Sequence, residues 1–587
     1  MGSLKHINKY LFKYRYRLLL GVVFVGISNY FAVNSIPYVR YTIDYLSADV
    51  KKHIPLDDIY HQLFIYGMYL LGYAFLSGVF LFLMRQTIIV MSRKIEYDLK
   101  NEIYEHYQKL DTAFYKRNNT GDMMNRISED VGRVRMYIGP AIMYILNTSF
   151  LFLFTIGKMI DVDAKLTLFV LIPLPFLAIS IYYVSNTISK KSTKVQEQLS
   201  NITTQTQEAF SGIRVLKAYG REEHFSNDFE MHSAAYQNRT MGLVKVEALF
   251  QPFMILLIGL STIFTIYVGG SQAIAGKISY GNIAEFVVYV SRLTWPIASL
   301  GWVTSLIQRA AASQTRINEF LQTKPGITSS STSTEKISGD IEFKEVSFTY
   351  PDSGITALKN VSFRIKRGSS LAIIGRTGSG KSTIANLICR LYDVESGSLL
   401  IDRKDIKEHN QSALRSQIGY APQEVILFSD TISHNIAFSI DEEEQKKESI
   451  IQAAKDAAIY SNIIAFKEQF ETVVGERGIT LSGGQKQRIS IARAIIKKPQ
   501  IMIFDDCLSA VDTETEEEIL NNLKKVMMNK TSLIISHRIS TVKNADNIIV
   551  LDRGEIVESG THQQLLEKHG VYFELHKMQL LEEELKS

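Results

Sequence analysis

Long apolar runs crowd into the first half of the chain, at about residues 18–38, 63–90, 141–159, 166–183, 250–274 and 283–307. Each is long enough to cross a hydrocarbon core of about 30 Å as a helix, so six membrane spans are predicted. Polar residues inside them, among them Asn29, Asn34 and Arg85, predict faces turned toward a bundle interior or a water-filled cavity as well as lipid. Connections are short after the first, third and fifth spans and long after the second and fourth. The long ones, residues 92–140 and 185–248, are themselves helical in pattern. The membrane helices are therefore expected to continue beyond the bilayer, with turns near 118–121 and 211–212 where Asn and Gly punctuate the pattern. Ahead of the first span, Leu4, Ile7, Leu11 and Tyr14 recur at helical spacing among Lys5, Lys9 and Lys13, which predicts an amphipathic helix lying on a membrane surface. The run from Leu18 follows a basic segment as a secretory leader would, but no small-residue cleavage pattern comes after it, so a retained span is expected.

The pattern changes after the sixth span. Residues 329–338 have the composition of a linker. Short β-rich runs at 341–343, 371–374, 501–504 and 532–535 then alternate with helical segments, as in an α/β domain with a largely parallel sheet. The predicted fold is an all-α six-helix transmembrane domain with long cytoplasmic helical extensions over residues 1–325, a linker over 326–339, and an α/β domain over 340–587.

Composition averages these two unlike halves: 46% hydrophobic and 21% charged residues would suit an ordinary soluble protein. A formal charge of +5, from 65 basic and 60 acidic residues, is too small at this length for a whole-protein nucleic-acid footprint, and no nucleic-acid partner is expected. The basic excess has a better explanation in membrane topology. Arg93, Lys94, Lys100, Lys109, Lys116 and Arg117 lie in the first long connection, which the positive-inside tendency places in the cytoplasm. An even number of spans then puts both termini there, in a multi-pass protein of the cytoplasmic membrane. Cys389 and Cys507 both fall in the second half and are too few for a disulfide framework or a zinc site of usual ligand count, which agrees with a reducing compartment.

The chemistry sits in the second half. Gly375-Arg376-Thr377-Gly378-Ser379-Gly380-Lys381-Ser382-Thr383 follows a strand-like run and precedes a helix-like one, the context a phosphate-binding loop requires. Glycines let backbone N–H groups curl round phosphates, Lys381 brings charge to the β- and γ-phosphates, and Ser382 is a Mg²⁺ ligand. Farther on, an apolar strand ends in Asp505-Asp506, which places Asp505 as the partner of the same metal. Alone, two acids after a strand are more often a solvated strand end. Coupled to a phosphate loop, they point to ATP with Mg²⁺. Leu481-Ser482-Gly483-Gly484-Gln485 opens a long basic helix and offers a second glycine-rich phosphate grip.

These residues resemble the ATP-binding-cassette family, whose signature reads as residues 481–485 do and lies just before its Asp-ending strand. The resemblance implies that two cassettes sandwich two ATP molecules, the phosphate loop of one facing the signature of the other. It further implies that Tyr350 stacks on adenine, that Gln423 lies near Mg²⁺ and the attacking water, and that His537 senses the γ-phosphate. By the same resemblance, residues 509–512 form an inter-cassette loop and Gly475, Glu476, Arg477 and Gly478 contact the partner's membrane domain. Phe114, Gly121, Asp122, Arg126 and Asp130 resemble the first cytoplasmic loop of exporters with six spans fused ahead of one cassette, so the whole chain is similar to a half-transporter. In that family the loop tips dock on cassettes, and the second loop crosses to the partner's.

One position departs from the family pattern. Where the family usually has Glu, to polarise the attacking water, this chain has Asp506. The carboxylate is withdrawn by about one bond length, roughly 1.5 Å, so the site on this chain's own phosphate loop is expected to be slow or mainly ATP-holding. A heterodimer with a second half-transporter is favoured over a slow homodimer. The expected activity is ATP-driven export of a hydrophobic or amphipathic drug or lipid; an ATP-gated channel or regulatory subunit is the alternative. Glu285 and Arg292, seven residues apart on the sixth span, would either line a cavity or pair structurally, and Trp295-Pro296 would kink the helix.

Overall fold

The computed structural model describes residues 2–52, 55–329, 332–475, 478 and 480–584. The chain divides into two compact units, one of residues Met1–Gln108 and Gly121–Thr323, the other of Lys109–Thr120 and Lys324–Ser587.

Among the described residues of the first unit, six helices are long and apolar enough to cross a membrane: Arg15–Ser47, Leu56–Lys109, Thr120–Val162, Ala164–Ser211, Glu222–Ile274 and Tyr280–Leu321. They run well past the apolar stretches. Small polar residues join the first span to its neighbours: Asn29 Nδ2 donates to Asn147 Oδ1 at 2.9 Å, and Ser28 Oγ donates to the Ser77 carbonyl at 3.0 Å. Such pairs satisfy groups that hydrocarbon could not. Phe64, Leu71, Phe75 and Phe82 stay exposed on the second span, an outward apolar face of the kind lipid covers. The sixth span carries the bundle's most buried rings, Phe286 and Tyr289, and runs as one helix through Pro296. Glu285 and Arg292 do not pair. Glu285 is buried and meets Arg40 Nη1 at 3.3 Å and the Tyr289 hydroxyl at 2.9 Å, while Arg292 is exposed one helical stretch away.

The N-terminal segment differs from expectation. It winds as a 3₁₀ turn, Gly2–Ile7, and a short helix, Asn8–Lys13. Its apolar side, now Leu4, Ile7 and Tyr10 rather than Leu11 and Tyr14, is buried against protein. Tyr10 and Lys9 bond Glu102, Lys13 Nζ meets Asp98 at 2.6 Å, and the Ser3 carbonyl accepts from Asn318 at 2.8 Å. Phe12, on the same short helix, stays exposed.

The second unit holds ten strands: β1 (Ile341–Thr349), β2 (Thr356–Ile365), β3 (Ser370–Ile374), β4 (Ser396–Ile401), β5 (Lys404–Asp405), β6 (Ile418–Ala421), β7 (Ile501–Asp505), β8 (Thr531–Ile535), β9 (Asn547–Asp552) and β10 (Glu555–Gly560). The main sheet runs β10-β9-β3-β8-β7-β6 and is parallel except for β10. Helices cover both of its faces, which is why β7 and β8 are buried at every position and read as unbroken apolar runs. A second, antiparallel sheet, β2-β1-β4-β5, was not foreseen beyond residues 341–343. Irregular register along β1 breaks the alternation that would have announced it. The short helix Thr112–Arg117, from the first long loop, belongs to this unit and buries Ala113 in its core beside Phe348 and Tyr392. Cys389 and Cys507 are buried free thiols.

Candidate functional site

Four neighbouring parallel strands, in the order β3-β8-β7-β6, deliver the site from their C-terminal ends, where α/β sheets characteristically place ligands. β3 opens into the phosphate loop at Gly375, β8 ends two residues before His537, β7 ends in Asp505, and β6 leads to Gln423. Residues far apart in sequence thus converge because their strands are adjacent.

The phosphate loop feeds the helix Lys381–Ile388. Gly380 there has φ +100°, and a Cβ would lie 2.3 Å from the Ala357 carbonyl oxygen, so no other residue fits. Arg376, Thr377 and Gly378 are exposed on the outer turn, whereas Ser379 is buried with its hydroxyl unpaired inside the loop. An orphaned hydroxyl beneath a ring of backbone amides fits a phosphate oxygen. Lys381 is buried, and Nζ donates to the carbonyls of Gly375 and Arg376, each at 2.8 Å. Burial pulls its pKa down to about 8, against the opposing pull of Asp506 and Asp505. Ser382 Oγ donates to Asp505 Oδ1 at 2.9 Å, which joins the two residues expected at the metal. Burial first, and the neighbouring Asp506 charge after it, push Asp505 up to about 6 despite that bond and the charge of Lys381; a carboxylate and a hydroxyl side by side are oxygen donors of the kind Mg²⁺ takes.

Gln423 is exposed, and its Nε2 donates to Asp506 Oδ2 at 3.3 Å. Asp506 has φ +45°, a left-handed conformation that Asp tolerates better than most residues, and its N–H donates to the Ile535 carbonyl at 2.8 Å. That bond fixes the backbone from which its side chain projects. His537 is half-buried and its pKa is lowered, by burial first and then by the charge of Lys381, so the neutral imidazole is favoured. Two supports of His537 escaped the sequence reading. Gln579, on the helix Val571–Glu584, donates to the His537 carbonyl at 2.6 Å and accepts from the Ile539 amide at 2.8 Å. Glu516, 3% exposed, accepts from Ser540 and Thr541 at 3.1 and 2.7 Å and pairs with Arg538. No periodicity announces a Gln near a chain terminus as a clamp on a distant loop.

Tyr350 follows β1 directly. Its hydroxyl shares a hydrogen bond with Thr383 Oγ1 at 3.0 Å, tying the ring to the phosphate-loop helix. Phe348 and Tyr392 meet the ring nearly at right angles, with centroids 5.0 and 5.4 Å away.

The second glycine-rich element is a helix start of its own. Ser482 caps the helix Gly483–Ile495; its hydroxyl accepts from the Gln485 amide at 3.3 Å, and the Gln485 side chain accepts from the Ser482 amide at 3.0 Å. Gly484 admits the Ala510 carbonyl, which a Cβ would meet at 2.9 Å, and Gln487 fixes Ser509 and Ala510 with hydrogen bonds of 3.1 and 3.0 Å. Ser482 and Gly483 are exposed, and among the described residues no hydrogen bond joins them to the phosphate loop. Glu476 and Arg477 lie outside the described residues.

A phosphate loop coupled to an Asp-ending strand, in one chain with six membrane-crossing helices, defines an ATP-driven membrane transporter. Residues 18–297 match the ABC transporter transmembrane region, and residues 358–509 match the ABC transporter nucleotide-binding family. The chain belongs to the ABC transporter family as an exporter-type half-transporter, and its cassette couples ATP hydrolysis to transport. It is 34% identical over 541 residues, 92% of its length and 87% of the relative's, to an ATP-dependent lipid A-core flippase of Syntrophus aciditrophicus. It is 34% identical to a probable multidrug resistance ABC transporter ATP-binding/permease protein of Bacillus subtilis, over 87% of this chain and 89% of that one. A lipid A-core flippase of Hahella chejuensis aligns with 99% of this chain and 97% of its own at 32% identity.

Proposed function

We propose that this protein is one half of a dimeric exporter of the cytoplasmic membrane that moves an amphipathic lipid or drug outward, both termini being cytoplasmic. The observation that carries the reading is the Ser382–Asp505 contact at the head of a phosphate loop fused to six spans. Residues 375–383 hold the triphosphate, Tyr350 the adenine, and Ser482, Gly483, Gly484 and Gln485 face the ATP on the partner's cassette. A Mg²⁺ ion held by Ser382, Gln423 and Asp505 would neutralise phosphate charge. Asp506 and Gln423 orient the attacking water, and neutral His537 holds the γ-phosphate. The exposure of Ser482 and Gly483, with no hydrogen bond to this chain's own phosphate loop among the described residues, supports a composite site.

Asp506 supports a slow own site and a partner different in sequence. Its carboxylate is about 1.5 Å shorter in reach than Glu, and a misplacement near 1 Å can cost on the order of a hundredfold, about 2.7 kcal/mol. One relative is named for lipid A-core and another for probable multidrug resistance, which supports a lipid or drug as cargo. The test is transport into inside-out vesicles. ATP should drive uptake of a fluorescent amphipathic dye or translocation of a labelled lipid, and Lys381→Ala should abolish it. Ion current on adding ATP, with no uphill accumulation of either, would favour a gated channel.

A further inference from the structure

Beside Tyr350 stands a residue with no assigned part in nucleotide chemistry. Lys116 lies on the short helix Thr112–Arg117, which Asp111 anchors twice: Oδ1 accepts from the Phe114 amide at 2.9 Å and Oδ2 from the Gly326 amide at 2.8 Å. With Ala113 buried in the same core as Phe348 and Tyr392, the helix has a fixed seat. From that seat Lys116 Nζ lies over the Tyr350 ring, 4.6 Å from its centroid, and 5.6 Å from the centroid of Tyr392.

We propose that Lys116 is a positioning residue of the nucleotide site, its ammonium holding the Tyr350 ring in the orientation that receives the purine of ATP. This rests on the reading of Tyr350 as the adenine platform. The ring packs at the edge of the core, half-buried, with one face turned to the ammonium. Phe348 and Tyr392 meet it edge-to-face, and its hydroxyl is tied to Thr383, which fixes the ends of the ring but leaves its rotation about the Cβ–Oη axis to its face contacts. A cation over the π-face is attracted by the ring quadrupole and resists that motion. Burial alone would lower the Lys116 pKa, but the facing Tyr392, Tyr350 and Asp352 outweigh it and raise it, so the ammonium persists throughout the neutral range. The Tyr392 hydroxyl, which faces the same ammonium, helps to hold Lys116 charged beside the Tyr350 ring.

The test uses the full-length protein in nanodiscs, with ATP and inorganic tripolyphosphate each displacing a fluorescent nucleotide. Lys116→Met should weaken ATP about two- to fivefold, as expected for a partly exposed cation–π contact, and leave tripolyphosphate unchanged. Lys116→Arg should restore ATP affinity, and Lys116→Met should add nothing to Tyr350→Ala. Equal losses for ATP and tripolyphosphate, or losses from Lys116 and Tyr350 that multiply, would overturn the proposal. If the wild type and Lys381→Ala bind ATP alike, the ATP-site reading itself falls, and the role of Lys116 with it.

Discussion

At the scale of single residues, position 506 carries the most consequence. Asp506 occupies a left-handed backbone position and accepts from Gln423 with its side chain, the placement on which the proposal of a short water-orienting carboxylate rests. Replacing Asp506 by Glu extends the carboxylate without changing its charge. Phosphate release at saturating ATP should rise, by up to about a hundredfold if reach alone limits the reaction, while ATP affinity stays level. A turnover unmoved in every assembly tested would remove the argument for a slow site. The phosphate loop was legible from sequence because its glycines, lysine and hydroxyls are consecutive and their spacing is dictated by the ligand. Lys116 was not, because its contact with Tyr350 joins two segments separated by most of the membrane unit.

At the scale of elements, legibility followed burial. β3, β7 and β8 are covered on both faces and stand out as apolar runs, whereas β2, β4 and β5 lie in a sheet with irregular register and left little trace. Support from outside the sheet was equally hidden. The helix Val571–Glu584 reaches back through Gln579 to the loop carrying His537. Gln579→Ala removes both hydrogen bonds, each worth about 1 kcal/mol net. ATP hydrolysis should fall severalfold with ATP binding nearly unchanged, a split that turnover and equilibrium displacement measure separately. A parallel fall in both would mean that Gln579 serves the fold of the cassette and not the placement of His537.

For the whole molecule, the two loop-tip helices behave differently. Thr112–Arg117 buries Ala113 and Phe114, but Ile213–Ala218 buries nothing, and Phe210, Val215 and Tyr219 around it are more than 60% exposed. Exposed apolar side chains gathered at one tip are of the kind that marks an interaction surface, and a second half-transporter is the expected occupant. Native mass measurement of the detergent-solubilised complex should therefore find two half-transporters. Tyr219→Asp should depress transport and ATPase activity with ATP binding retained. Dimers found only when the product of a neighbouring transporter gene is co-expressed would establish the heterodimer, and dimers of this chain alone the slow homodimer.

The cassette is built from two separate stretches of chain, residues 109–120 and 324–587. During synthesis the first stretch leaves the ribosome long before Tyr350 and Tyr392 exist, and at bacterial-to-eukaryotic elongation rates it waits on the order of tens of seconds for its seat. The nucleotide site is thus finished last and from both ends. A C-terminal fragment made without residues 109–120 would lack Ala113 and Lys116, so a cassette expressed alone is a different nucleotide binder from the one the complete chain assembles.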